Sequence, residues 1–239
     1  MQSENQSARL AVFIDADNIP AKFAESILKE VTKFGEPGLR RVYGDWSSPQ
    51  LAGWTKSAQT LGLVQHQQTA NTKGKNASDI GLVIDAMDVL HAGHFGVFVL
   101  VSSDSDFTRL ASRIREQGLT VIGIGEAKAP DALKNACNRF VTIENLVEPD
   151  AKASAPKKAN LNAAQKLLIA AMEKIDQDDE WYQLGRLGQQ VQADNPDFDT
   201  RTYGYSKLSA LVKDMKQLET MRDSGNQLLV RRKPRKGAR

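Results

Sequence analysis

The sequence holds one cysteine, Cys137, and three histidines in 239 residues. A single thiol excludes an internal disulfide and any cysteine-based zinc site. The scattered histidines exclude a histidine-rich metal site. Aromatic residues make up only 6% of the chain. Apolar runs are short: Val97-Phe98-Val99-Leu100-Val101 is five residues long, far below the roughly 18 that a membrane span needs. The opening Met1-Gln2-Ser3-Glu4-Asn5 is polar and acidic rather than basic and then apolar, so no secretory signal is expected and the expected location is cytoplasmic, with no membrane partner.

What is present is an ordinary globular composition, 41% apolar and 26% charged, with a mean hydropathy of −0.43. Any chemistry must therefore rest on carboxylates and hydroxyls. The net charge of +3 hides an asymmetry: residues 1–150 carry 15 basic and 18 acidic side chains, and residues 151–239 carry 17 and 11. An acidic first part and a basic last part suggest two units with different partners, the second an anionic polymer.

The composition changes at Glu148-Pro149-Asp150-Ala151-Lys152-Ala153-Ser154-Ala155-Pro156-Lys157-Lys158. No apolar residue there is larger than alanine, so the run cannot anchor a core and reads as a linker. The expected division is a first domain over 1–148, a linker over 149–159, a second domain over 160–233 and a basic tail over 234–239.

Before the linker, short β-rich runs alternate with helical stretches. Strands are expected at 10–14, 41–43, 63–66, 96–101, 120–124 and 140–143, and helices at 20–33, 54–60, 79–90 and 106–117, the last stopped by Gly118. This alternation predicts an α/β fold: a mostly parallel sheet with helices on both faces. After the linker, helices are expected at 161–175, 181–191 and 203–215. A two-stranded hairpin should then turn at Asp223-Ser224-Gly225-Asn226. Three helices and a ribbon describe a small winged helix.

Functional groups in open parallel sheets collect beyond the C-terminal strand ends. Two acid clusters fall there: Asp15-Ala16-Asp17-Asn18, and Ser102-Ser103-Asp104-Ser105-Asp106. A third acid, Asp79, opens a helix after the polar loop Asn71-Thr72-Lys73-Gly74-Lys75-Asn76-Ala77-Ser78. Converging carboxylates stay ionised together when a cation sits among them. Oxygen-only donors select a hard ion, Mg²⁺ or Mn²⁺, which points to hydrolysis or transfer at phosphorus. Taken singly, each acid is more readily a turn or helix cap, Asp104 and Asp106 before the helix at Phe107 included, and the convergence of three segments shifts the balance. Asp85 and Asp88 turn away from Asp79 on their helix and read as exposed. His91 and His94 read as solvated residues near a helix end. Gly123-Ile124-Gly125 lacks the third glycine of a dinucleotide fingerprint.

The runs Phe13-Ile14-Asp15-Ala16-Asp17-Asn18, Asn76-Ala77-Ser78-Asp79-Ile80 and Val101-Ser102-Ser103-Asp104-Ser105-Asp106-Phe107 resemble the NYN domain, a branch of the PIN-like nucleases, over roughly residues 9–146. The resemblance implies a metal-dependent ribonuclease with Asp15, Asp79 and Asp104 as metal-binding carboxylates. It also implies Asn18 orienting Asp15 or a phosphate, Asp106 as a fourth acid, and Lys73 and Lys75 against phosphates near the scissile bond. The family usually has Gly where Ser103 stands, and a side chain there disfavours a left-handed turn.

The run Phe198-Asp199-Thr200-Arg201-Thr202-Tyr203-Gly204-Tyr205-Ser206-Lys207-Leu208-Ser209-Ala210-Leu211-Val212 resembles the core of an OST-HTH/LOTUS domain over about residues 160–233. That implies a winged helix binding single-stranded RNA, in some members a protein partner. Lys207, Arg231, Arg232 and Lys233 supply phosphate-seeking charge, and Tyr203 and Tyr205 are candidates to stack on bases. Core packing is an equal reading for both tyrosines. The expected function is a ribonuclease whose second domain holds the RNA. The alternative is an RNA-binding regulator that no longer cuts.

Overall fold

The computed structural model describes residues 9–68, 77–146, 158–177 and 179–233. The chain divides into two compact units at Glu148/Pro149. The first alternates strand and helix: β1 (Arg9–Asp15), α1 (Ala24–Val31), β2 (Glu36–Gly44), α2 (Ala52–Leu61), β3 (Val64–Gln67), α3 (Ala77–Ala92), β4 (Val97–Val101), α4 (Thr108–Glu116), β5 (Thr120–Gly125), α5 (Asp131–Ala136) and β6 (Arg139–Thr142). The strands form one sheet in the order β3-β2-β1-β4-β5-β6, and every neighbouring pair is parallel.

β1 is buried on both faces, with Leu10 through Ile14 fully inaccessible, which is why it reads as a continuous apolar run rather than an alternating one. Leu10, Val12 and Ile14 pack with Ile27 of α1 and Trp54 of α2. Ala11 and Phe13 face the opposite way, with Leu82 and Ala86 of α3, Leu110 of α4 and Leu133 of α5. The buried Trp54 indole donates to the Ile19 carbonyl at 2.6 Å, so its polar edge is not stranded in the core.

Two features depart from the expectation. β2 spans nine residues rather than three, because parallel pairing with β1 carries Pro37 and Gly38 into a strand whose composition reads as loop. The short helix α5 follows Pro130 and was not expected, its six residues being too few for a periodic signal.

The second unit contains α6 (Lys158–Lys174), β7 (Tyr182–Gln183), α7 (Leu184–Asp194), α8 (Leu208–Lys213), β8 (Leu218–Arg222) and β9 (Leu228–Arg232). Its core gathers Ala164, Leu168 and Ala171 of α6, Leu187 and Val191 of α7, Leu211 and Val212 of α8, and Val230 of β9. The expected ribbon is a three-stranded antiparallel sheet, β7-β9-β8, because Tyr182 and Gln183 pair with Val230 and Leu229 instead of starting the helix. The helix expected over 203–215 is also broken. Thr200–Tyr203 is a 3-10 turn capped by Asp199, and Gly204 follows in the left-handed region at φ 83°. Only Leu208–Lys213 is α-helical in that stretch.

Candidate metal and nucleic-acid site

The chain runs from β1 outward through β2 to β3, then returns to lay β4 on the other side of β1. This reversal is a topological switch point, where a crevice opens beyond the carboxyl ends of the two central strands. The two acid clusters stand there, since β1 ends at Asp15 and Ile14 pairs in register with Val101 of β4.

Hydrogen bonds tie the clusters together. Asp15, 3% exposed, accepts from the Asn18 amide at 3.2 Å on one oxygen and from the Ser102 hydroxyl at 2.8 Å on the other. The same hydroxyl accepts from the Asp104 amide at 3.1 Å. Ser102 thus bridges the two acids. The Asn18 side-chain carbonyl accepts from the Ser103 amide at 2.9 Å, which locks the loop after β1 to the loop after β4. Oδ1 of Asp104 accepts from the Asp106 amide at 2.9 Å and caps the 3-10 turn Ser105–Phe107. Its Oδ2 makes no hydrogen bond among the described residues. The capping reading of Asp104 is therefore correct, and it leaves one oxygen for another role.

Ser103 does not take the left-handed turn that a glycine would have implied. Among the described residues, Asn226 is the one non-glycine with positive φ. The Ser103 hydroxyl instead accepts from the Glu126 amide at 2.8 Å, holding the end of β5 against the site. Gly125 permits this approach: a Cβ there would lie 2.5 Å from the Ser102 carbonyl oxygen and 2.9 Å from the Phe140 ring. The Gly123–Gly125 pair thus serves close strand contact rather than dinucleotide binding.

With its acids joined across the switch point, the domain can be identified. The chain belongs to the NYN domain family, which matches residues 9–144. An OST-HTH/LOTUS domain matches residues 159–230. A crystal structure of a protein of unknown function from Vibrio parahaemolyticus has a TM-score of 0.51 at 18% identity, over 59% of this chain and 96% of that one. This likeness shows shared fold alone. An uncharacterised protein from Nitrosomonas europaea, solved by NMR, is 30% identical over 38% of this chain and 90% of that one, with a TM-score of 0.30. No curated protein matches the sequence significantly.

NYN domains belong to the PIN-like nuclease superfamily, whose members generally use divalent metal ions. Together the two domains support an RNA nuclease or RNA-binding protein. The oxygen donors of this NYN domain fit a hard cation: a buried carboxylate oriented by two donors, and a second with an unengaged oxygen. Among the described residues no three acids, histidines or cysteines come close enough to hold a metal. The third expected ligand, Asp79, opens α3, and its side chain lies outside the described residues, as do Lys73 and Lys75. Asp106 is exposed, with its backbone rather than its carboxylate bonded to Asp104.

A second polar cluster of the NYN domain was missed. Asp85, expected to be exposed, is half-buried and accepts from both Arg41 and the Tyr43 hydroxyl. Parallel pairing of β2 turns Arg41 and Tyr43 toward α3, where Asp85 meets them. Burial, and then the bond to Asp85, push the Tyr43 phenol above its usual range. His66 of β3 lies 4.0 Å from Asp85, and burial holds its pKa below the usual value. Asp88 is exposed as expected.

In the OST-HTH domain the expected RNA contacts divide. Lys207 is exposed at the start of α8. Tyr203 is half-buried against Phe198, with ring centroids 5.8 Å apart, and Tyr205 donates to Asp214 at 2.7 Å. Both tyrosines serve packing at least in part. Arg231 stacks 4.5 Å over the Trp181 ring and is bound by Glu219 and Glu180, so its charge is locally answered. Arg232 lies 4.0 Å from Glu173, and the Lys233 ammonium donates to the Lys216 carbonyl at 3.0 Å. Among the described residues no helix is long and apolar enough to cross a membrane.

Proposed function

We propose that the protein is a metal-dependent endoribonuclease acting on single-stranded RNA, with residues 1–148 cutting and residues 160–233 holding the strand. The observation that carries the reading is the Asp15–Ser102–Asp104 bridge across the switch point. Asp15, Asp104 and Asp79 are the carboxylates that would hold Mg²⁺ or Mn²⁺, which when bound polarises a phosphoryl oxygen and lowers the pKa of an attacking water. Ser102 and the Asn18 amide fix the Asp15 carboxylate so that both its oxygens stay aimed. Asn18 in turn is held by the Ser103 amide, so its role is positioning. Asp106, exposed beside Asp104, is the remaining acid within reach of a water or leaving group. Lys73 and Lys75 are assigned to flanking phosphates. A cytoplasmic location is supported by the lone cysteine, buried and free.

The test uses pure protein and an RNA labelled differently at each end, with Mn²⁺, Mg²⁺ or EDTA. Internal fragments are expected with metal and none with EDTA. Asp104→Asn should reduce cleavage by at least about a hundredfold, the scale of losing one element of preorganised charge stabilisation, while RNA binding stays nearly intact. Unchanged cleavage by the variant would sink the assignment. Intact RNA that shifts in a gel, with binding weakened by salt, would establish the alternative, a regulator that binds without cutting.

A further inference from the structure

The second unit carries a groove of about 600 Å³ between α6 and the ends of the small sheet. That volume falls within the roughly 300–1,000 Å³ of sites that enclose small ligands. Gln165 on α6 lines it; the residue is 9% exposed, and its amide makes no hydrogen bond among the described residues and is reached by solvent. An amide that no protein group engages is open to a ligand in the groove. Asn162 on the same helix and Gln217 before β8 add two more amides at the rim. Each amide offers both donors and an acceptor, the groups that read the edge of a nucleobase. Ile169 gives the groove an apolar wall, and Lys166, Arg232 and the Glu173 carboxylate complete its lining. The Arg232 contact to Glu173 is long, at 4.0 Å, and both side chains are exposed, so a phosphate can compete for the guanidinium.

From this we infer that the α6 groove binds one unpaired nucleotide of the RNA, its base edge on Gln165 and its phosphate on Lys166 and Arg232. The inference rests on the proposed RNA-holding role of this unit and gives that role a location. A base in this groove engages α6 and the sheet, not the tyrosines that precede α8.

The experiment uses the full chain in EDTA, so that no metal-dependent cutting occurs. Fluorescent single-stranded oligoribonucleotides of each base are titrated by anisotropy from about 50 to about 200 mM salt. Gln165→Leu should weaken binding about tenfold, the scale of one lost base-edge contact, level the preference among bases and leave the salt dependence alone. Its melting midpoint should not fall, because no protein partner is lost. Lys166→Gln is exposed and safe for folding, and should weaken all RNAs alike while reducing the salt slope by roughly 0.7. If the wild-type chain binds RNA and both variants match it, the groove is not the site. If the wild-type chain binds no RNA at all, the RNA-holding role itself fails. A glutamate-rich peptide that binds the wild type and not Lys166→Gln, with RNA binding unchanged, would overturn the inference in favour of a protein ligand.

Discussion

Single side chains at the switch point do two jobs, which is why their roles are hard to read one at a time. Asp104 caps a 3-10 turn with one oxygen, and Ser102 both donates to Asp15 and accepts from the Asp104 amide. The bridge has an energetic meaning: a buried carboxylate is tolerated where fixed donors replace its water. A residue-scale prediction concerns His66. Burial, countered by Asp85 and reinforced by Arg41, holds its pKa below about 6.5. The unfolded chain therefore binds this proton more readily than the folded one. The stability so governed is full above about pH 6.5 and falls as the pH drops toward the depressed folded value. Urea midpoints at several pH values should show that decline, and His66→Gln should remove part of it. A variant with the same pH slope as the wild type would show that His66 is not responsible.

At the scale of elements, β5 decides how closely the second sheet half approaches the site. Gly125 ends that strand beneath Ser102 and Ser103. Gly125→Ala pushes a methyl group against a backbone carbonyl that cannot swing aside. The expected cost is about 1–3 kcal/mol, with loss of RNA cleavage because the Ser102 frame is displaced. Gly185→Ala in α7 is the control, since nothing lies within 4 Å of its added Cβ, and it should be neutral or stabilise by up to about 1 kcal/mol. Denaturant midpoints measure both, and equal effects would mean that close approach at Gly125 is unimportant. The elements also show where sequence patterns were readable. Both buried central strands and α4 stand close to where apolar runs and Gly118 put them. β7 and the broken 203–215 stretch were not readable. A two-residue strand exists only through its partner, and Asp199, Thr200 and Gly204 trade helix for local turns.

On the scale of the whole molecule, each of the two units carries its own core, on both faces of the sheet in the first and between the helices and the small sheet in the second. Ligand binding to either domain therefore stabilises that domain first. Mn²⁺ at about a hundred times its dissociation constant should stabilise the NYN domain by about 2.7 kcal/mol, visible as an upward shift of its melting transition. Asp15→Asn should lose most of that shift. An equal shift in the variant would place the ion elsewhere. The charge asymmetry belongs to this scale too, since the basic excess lies after residue 150, in the part that contains the amide-lined groove.

The sequence by itself determined the alternation of strands and helices, the division near residue 148 and the candidate acids at the ends of two strands. Those features depend on neighbours a few residues away: apolar periodicity, turn-forming residues, and a run with nothing to bury. Only the tertiary structure decided that β4 lies beside β1, so that acids nearly ninety positions apart share one hydroxyl. It alone showed that Asp85 faces Arg41 and Tyr43, that Gly125 makes room for Ser102, and that Gln165 lines a groove. Each of these depends on which strand or helix lies alongside, and that is set by pairing and packing between segments far apart in the chain.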